Sequence, residues 1–246
     1  MSKTVRTDNP AGRLYAFLQR ARAANGDIIS RGLAKAFGIE ENNFGFLYGK
    51  LHVVYQLVDE TSESLKILHE EDYLGHYEPT STRLKELLTI PNFNAPWLAF
   101  KNEKIKDADL TSLAFVSSTF SKHMAERVVE EVRLKELHEK VKKLYDEPLD
   151  PDADLDIELR RVIASALRRI LDAIDDYALT GIGELDRCLK ETISEVVLNP
   201  ELAKSKKRIV IQYADVVLTL SFLVQIATFV RPALPPSVQQ FLPTGP

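Results

Sequence analysis

The segment KSKKRIVIQYADVVLTLSFLVQIATFVRP, residues 204–232, is either a membrane-crossing helix or the central helix of a folded core. The 22 residues between Arg208 and Arg231 would span about 33 Å as a helix at 1.5 Å per residue, which matches a bilayer core of about 30 Å. Sixteen of them are apolar and none is Lys or Arg, whereas four basic residues crowd the N-terminal end. In a membrane those charges would hold this end in the cytoplasm.

Polar side chains inside the segment weaken the membrane interpretation. Its thirteen Leu, Ile, Val and Phe residues contribute about −4 to −8 kcal/mol on an insertion scale. Asp215 opposes insertion by up to about 3 kcal/mol at the bilayer centre, and Gln212 and Gln225 further reduce the favourable insertion free energy. The polar residues of the first half share one helix face, and those of the second half fall roughly opposite. This pattern favours a helix buried among several others, and the membrane helix stays as the alternative.

The rest of the chain predicts an all-α protein, because its apolar residues recur with a period near 3.6. We expect a bundle of roughly seven to nine helices, with the hydrophobic C-terminal helix either central or membrane-associated. Asn9 and Pro10 have the residue types of a helix start. A long helix is predicted from Asp109 to Asp146, and four of its residues follow heptad spacing: Leu134, Leu137, Val141 and Leu144.

Composition shifts predict four segments along the 246 residues. Residues 1–90 are expected to form an N-terminal helical subdomain. Residues 91–108 hold two prolines together with Phe93, Trp97 and Phe100, so we expect an ordered loop packed by its aromatic side chains. Residues 109–230 are expected to form a long-helix subdomain, and residues 231–246 a proline-rich tail.

Charge and cysteine content exclude some classes of protein. The net charge of −4 argues against a general nucleic-acid coat. Cys188 is the single cysteine, so the chain can form no intramolecular disulfide, and a reducing compartment is the simpler expectation. The N-terminus has no apolar run, so no secretory signal peptide is expected. We predict a cytoplasmic protein, with the cytoplasmic face of a membrane as the alternative.

The segment SRGLAKAFGIEENNFGFLYGK, residues 30–50, has the spacing of a DNA-binding helix-turn-helix, with a small residue, a glycine turn and two apolar residues beyond it. Asn42 and Asn43 are the residues suited to base edges, whereas Glu40 and Glu41 would face phosphate. A simple corner between two helices has the same pattern. DNA binding is therefore a further alternative that the local charge disfavours.

Two other patterns resemble catalytic or metal sites without completing them. His69, Asp72 and His76 are capable metal ligands, yet the histidines are seven positions apart rather than the four of a zincin helix. Arg133 and His138 have a spacing used by helical ribonucleases, in which Arg stabilises phosphate and His transfers a proton. The chain has no Walker loop, nucleophile elbow or dinucleotide loop, so we predict no cofactor.

These observations favour a non-enzymatic interaction or regulatory protein that binds another protein or itself. The heptad spacing near Leu137 is the positive observation behind this hypothesis. A membrane-associated protein inserted through residues 209–230 is the main alternative, followed by a DNA-binding regulator and a helical ribonuclease.

Overall fold

A computed structural model describes residues 5–41, 43–89, 92–147 and 155–228, and the described residues form twelve α-helices and no strand. The all-α prediction is confirmed, but the helix count exceeds the expected seven to nine. Three short helices account for the difference, because helices of four to eight residues are too brief to show an apolar stripe. In chain order the helices are α1 (Pro10–Ala23), α2 (Ile29–Phe37), α3 (Phe44–Ile67), α4 (Glu71–Leu88), α5 (Trp97–Lys104), α6 (Asp107–His123), α7 (Glu131–Tyr145), α8 (Ile157–Asp175), α9 (Tyr177–Thr180), α10 (Ile182–Leu198), α11 (Pro200–Lys204) and α12 (Arg208–Thr228).

The chain divides into two compact units. Unit 1 comprises the described part of Met1–Glu126 together with Ala178–Gly181, and unit 2 comprises the described part of Arg127–Tyr177 and Ile182–Pro246. The division therefore follows Glu126, whereas the sequence placed it at residues 91–108. The predicted tail, residues 231–246, lies outside the described residues.

Helix α1 is the central helix of unit 1 and packs against α2, α3 and α6. It begins as predicted, since the Asn9 side chain caps it by accepting a hydrogen bond from the Gly12 N–H at 2.9 Å. Leu14 and Phe17 on its inner face are fully buried, and Phe17 stacks on Phe37 of α2 at a ring-centroid distance of 4.7 Å.

A buried arginine on α1 joins distant parts of unit 1. The Arg13 side chain is 3% exposed; its Nε donates to the Leu179 carbonyl at 2.9 Å, and its guanidinium lies 2.8 Å from a Glu126 carboxylate oxygen and 3.4 Å from one of Glu60. These bonds explain why residues 178–181 belong to unit 1. Gly181 next to them has φ = 63°, and a Cβ there would lie 2.4 Å from the guanidinium.

The segment predicted as a loop, residues 91–108, contains helix α5. The loop was inferred from prolines, but Pro96 stands directly before the first turn of α5, where proline is compatible with a helix. Trp97 is 1% exposed and its indole N–H donates to the Ala24 carbonyl at 2.9 Å. Packing through the aromatic side chain thus agrees with the expectation, while the helix does not.

The long helix predicted from Asp109 to Asp146 is interrupted between α6 and α7. The backbone leaves helical geometry after His123, and its N–H groups find partners elsewhere. Within unit 1 the Glu126 N–H donates to the Asp8 carbonyl at 2.7 Å, and within unit 2 the Val129 N–H donates to the Tyr177 hydroxyl at 2.8 Å. Tertiary hydrogen bonds therefore override local helix propensity here.

Helix α12 packs into the core of unit 2, against α7 and α10. Eleven of its 21 residues are buried, and Val216 and Leu220 are fully so. Among the described residues α12 is the one helix long and apolar enough to cross a bilayer, and 56% of its most apolar stretch is buried in the protein. The core helices of folded bundles have the same length and composition.

Candidate interaction surface

Helix α12 leaves one apolar face uncovered. Ile211, Asp215, Leu218, Phe222 and Ile226 follow one another at intervals of three and four residues, so they line one side of the helix. Ile211 is 50% exposed, Phe222 54% and Ile226 37%, and Leu218 is half-buried. We call these five residues the outer α12 stripe. The spacing from Ile211 to Phe222 equals that of a coiled-coil seam, and Ile226 lies one position beyond the next seam position.

Helix α7 runs antiparallel along one edge of this stripe. Three contacts at successive levels join the helices: Arg208 with Glu147 at 2.8 Å, Asp215 with Lys140 at 2.5 Å, and the Phe222 ring with the Arg133 guanidinium at 5.8 Å. Lys140 also donates to the Thr219 hydroxyl at 3.0 Å. The apolar stripe is therefore bordered by charged groups, the arrangement of a protein-binding surface with an apolar centre and a polar rim.

The three polar residues singled out on the C-terminal helix lie in different surroundings. Asp215 is exposed and paired with Lys140. Gln212 is half-buried, and its Oε1 atom is buried without a hydrogen-bond partner among the described residues. Gln225 is half-buried near the opposite end of the helix. The structure does not bring them together into one site.

Arg133 and His138 lie on different sides of α7. Arg133 contacts Phe222 of α12 and places its Nε 3.1 Å from a Glu130 carboxylate oxygen. The His138 Nε2 atom lies 3.4 Å from a carboxylate oxygen of Asp175 in α8. Five helical positions correspond to a rotation of about 140°, so the two side chains do not converge on one phosphate group.

His69, Asp72 and His76 are exposed and do not form a metal centre. His69 stands between α3 and α4 with φ = 55°, and the other two lie within α4. In the described part of the chain no group of three His, Cys, Asp or Glu side chains is placed to hold a metal ion.

The corner between α2 and α3 presents aromatic side chains together with two cations, Arg31 and Lys35, that lie near the Glu41 carboxylate. Asn42 lies outside the described residues, and Asn43 caps α3 by accepting a bond from the backbone N–H three residues later, at 3.1 Å. Glu41 lies 3.4 Å from the Arg31 guanidinium and so offsets part of the positive charge with which this corner could attract DNA phosphates. Tyr48, on the outward face of α3, is 57% exposed.

Cys188 is buried in unit 2 and is not an activated nucleophile. It is 3% exposed, and burial raises the pKa of its thiol to about 11, although Arg169 acts in the opposite direction. A thiol in this state is protonated at neutral pH, and the side chain belongs to the same core cluster as Leu185 and Leu189.

Unit 1 carries an open groove of about 900 Å³ between α1 and α6. Tyr15 and Phe115 form apolar parts of its wall, Ser118 supplies a hydroxyl, and Arg22 is paired with Asp107 at one end. Sequence reasoning missed this groove, because its walls come from helices that are about 100 positions apart in the chain.

Sequence reasoning also missed the outer α12 stripe. A helix that is apolar around its whole circumference shows no distinct outward face, so the neighbours that cover the other sides must be known first. The spacing of Ile211, Leu218 and Phe222 is visible in the sequence, but it does not stand out among the surrounding apolar residues.

No protein-family model matches the chain, and neither a curated protein nor a solved structure shows significant similarity to it. Function is therefore argued from the geometry of this molecule.

Proposed function

We propose that the protein is a non-enzymatic interaction or regulatory protein that binds another protein or itself through the outer α12 stripe. The observation that carries this proposal is a line of four large apolar side chains along one side of α12, Ile211, Leu218, Phe222 and Ile226. They are partly exposed, although eleven of the 21 residues of this helix are buried. Surface apolar residues are common singly, but an aligned set with a charged border is typical of interfaces.

The energetics support binding of moderate strength. Fully burying an Ile or Phe side chain contributes about 1.5–3 kcal/mol, so covering the exposed half of Ile211 and Phe222 contributes about 1 kcal/mol each. Phe222 stands near the middle of the stripe beside Arg133, and aromatic and arginine side chains are enriched among residues that dominate binding energy.

The experiment is photo-cross-linking in the producing cell. A photoreactive phenylalanine analogue replaces Phe222 in one variant and Ile157 in a control, because Ile157 is also in unit 2 and is 64% exposed. We expect discrete adducts with protein from position 222 and none of them from position 157. Absence of any protein adduct at position 222 would refute the proposal.

The second candidate is a membrane-associated protein inserted through residues 209–230, on the strength of the length and hydropathy of α12. Insertion would have to remove the eleven buried side chains of this helix from the core of unit 2 and transfer the charge pair of Asp215 and Lys140 toward lipid. These requirements favour the interaction protein, with a cytoplasmic location.

A further inference from the structure

We propose that the outer α12 stripe binds the same stripe of a second copy of this chain, with the two α12 helices antiparallel about a two-fold axis. This inference rests on the proposed function and names its partner. A two-fold interface requires a surface that is complementary to itself, and the stripe satisfies that condition in both apolar and charged residues.

The apolar residues are arranged symmetrically about the middle of the helix. Ile211 and Ile226 are equally far from the peptide bond between Leu218 and Thr219. When two copies of α12 lie antiparallel about this point, Ile211 of each copy meets Ile226 of the other. The two Leu218 side chains then lie close to the axis. All three side chains remain partly exposed in the single chain and can gain burial from the contact.

The charged residues are complementary in the same arrangement. Asp215 and Phe222 are also equally far from that midpoint, so Asp215 meets Phe222 of the second copy. Arg133 lies against the Phe222 ring at 5.8 Å, and the arrangement therefore brings the Arg133 of one copy to the Asp215 of the other. The two side chains are 40% and 51% exposed and can reach each other. A carboxylate already paired with Lys140 still has acceptor capacity for a second donor.

The position of α7 distinguishes the antiparallel arrangement from a parallel one. The two-fold axis of an antiparallel pair lies in the interface and perpendicular to the helices, so both α7 helices flank the α12 pair on the same side. Arg133 of one copy then faces the edge that carries Asp215 and Lys140 of the other, and the pairing of Lys140 with Asp215 in its own chain limits the repulsion between Arg133 and Lys140. A parallel pair would instead place Asp215 against the Asp215 of the second copy, which like-charge repulsion disfavours.

Exchange of the two charges tests this arrangement. A two-fold pair contains two contacts between residue 133 of one copy and residue 215 of the other. Asp215→Arg alone makes both of them repulsive contacts between two arginines, and Arg133→Glu alone makes both of them repulsive contacts between Glu and Asp. A mixture of the two variants restores both attractions in the mixed pair, because the arginine at 215 meets the glutamate at 133 and the unchanged Asp215 meets the unchanged Arg133. Asp172→Arg is the matched control, since Asp172 on α8 is 46% exposed and paired with Arg168.

Light scattering during gel filtration provides the measurement, with far-UV circular dichroism as the check on folding. We expect twice the chain mass for the wild type and for Asp172→Arg. Each single variant should raise the dissociation constant about tenfold or more, and the mixture should recover twice the chain mass. A monomeric wild type, or a dimer that neither variant weakens, would overturn the proposal, as would a mixture that stays monomeric.

Disulfide trapping tests the orientation. Mixed chains carrying Ile211→Cys and Ile226→Cys should cross-link on oxidation, whereas Ile211→Cys alone should not; the native Cys188 is buried and contributes little background. Cross-linking of Ile211→Cys with itself would overturn the antiparallel arrangement. If the wild type is monomeric while position 222 forms photo-adducts with other proteins, self-pairing is wrong and the proposed function stands. If position 222 forms no adducts at all, both are wrong.

Discussion

Leu220→Ala should strongly destabilise the protein, because Leu220 is fully buried on the inner face of α12. Its matched control is Ile211→Ala on the outer α12 stripe of the same helix, where the side chain is 50% exposed. Both changes truncate an aliphatic side chain of the same size to the same product. They differ mainly in how the folded protein surrounds the lost atoms, since the difference in helix propensity between Leu and Ile is only a few tenths of a kcal/mol.

The expected magnitudes follow from burial. Removing three buried carbon atoms loses about 2.4 kcal/mol of transfer free energy at about 0.8 kcal/mol per group. The cavity raises the total for Leu220→Ala to about 3–5 kcal/mol. Ile211→Ala loses about 1 kcal/mol, because half of its surface is already in water. Since whole domains are stable by about 5–15 kcal/mol, the first change should be large and the second small.

Urea denaturation followed by far-UV circular dichroism measures both variants. The protein concentration is kept as low as the signal permits, so that any association through Ile211 does not add to its apparent stability. Equal losses of unfolding free energy for the two variants would refute the burial of α12 that the structure shows, as would a Leu220→Ala protein as stable as the wild type.

Three further predictions concern single side chains. Arg13→Ala should lower the free energy of unfolding by about 2–3 kcal/mol, since it removes the bond of a buried guanidinium to the Leu179 carbonyl and its ion pairs with the partly exposed Glu60 and Glu126. Arg22→Ala on the same helix should lower it by about 1 kcal/mol or less, and the fluorescence of the single tryptophan reports the unfolding of unit 1. Both Gly38 and Gly181 have positive φ, so Gly38→Ala should lower the free energy of unfolding by about 1–2 kcal/mol. Gly181→Ala should lower it more, because the added Cβ would also clash with the buried Arg13 guanidinium. Burial raises the pKa of Cys188 from 9.0 to about 11 on folding. At about 1.4 kcal/mol per pKa unit, the wild type should therefore lose about 2 kcal/mol of unfolding free energy between pH 9 and 11 relative to Cys188→Ala. Unfolding curves of the two proteins at several pH values measure this loss, and a pH-independent difference between them would contradict it.

Regular helices were predictable from the sequence because their apolar stripes are encoded locally. The Leu134 to Leu144 seam is buried as its spacing indicates, and Asn9 caps α1 through its own side chain. The break between α6 and α7 was not predictable, since it depends on a hydrogen bond from the Glu126 N–H to Asp8, a residue far away in the sequence. Local propensity carries no information about such partners.

The candidate surface was less predictable than the fold. Residues chosen for their chemistry, such as Arg133 and His138, depend on which side of α7 faces each neighbour, and the sequence does not give this. The same holds for α12. Its hydropathy suggested a buried or membrane helix, and only the packing of α7 and α10 identifies which residues remain outside.

Alkaline-carbonate extraction of the membrane fraction from producing cells tests most directly whether α12 is a core helix with one face left for a protein partner. If α12 is packed in unit 2, the full chain should appear in the carbonate supernatant without detergent, and its circular dichroism should be strongly helical. Retention of the chain in the carbonate pellet, with release only by detergent, would contradict this and would place residues 209–230 in the bilayer.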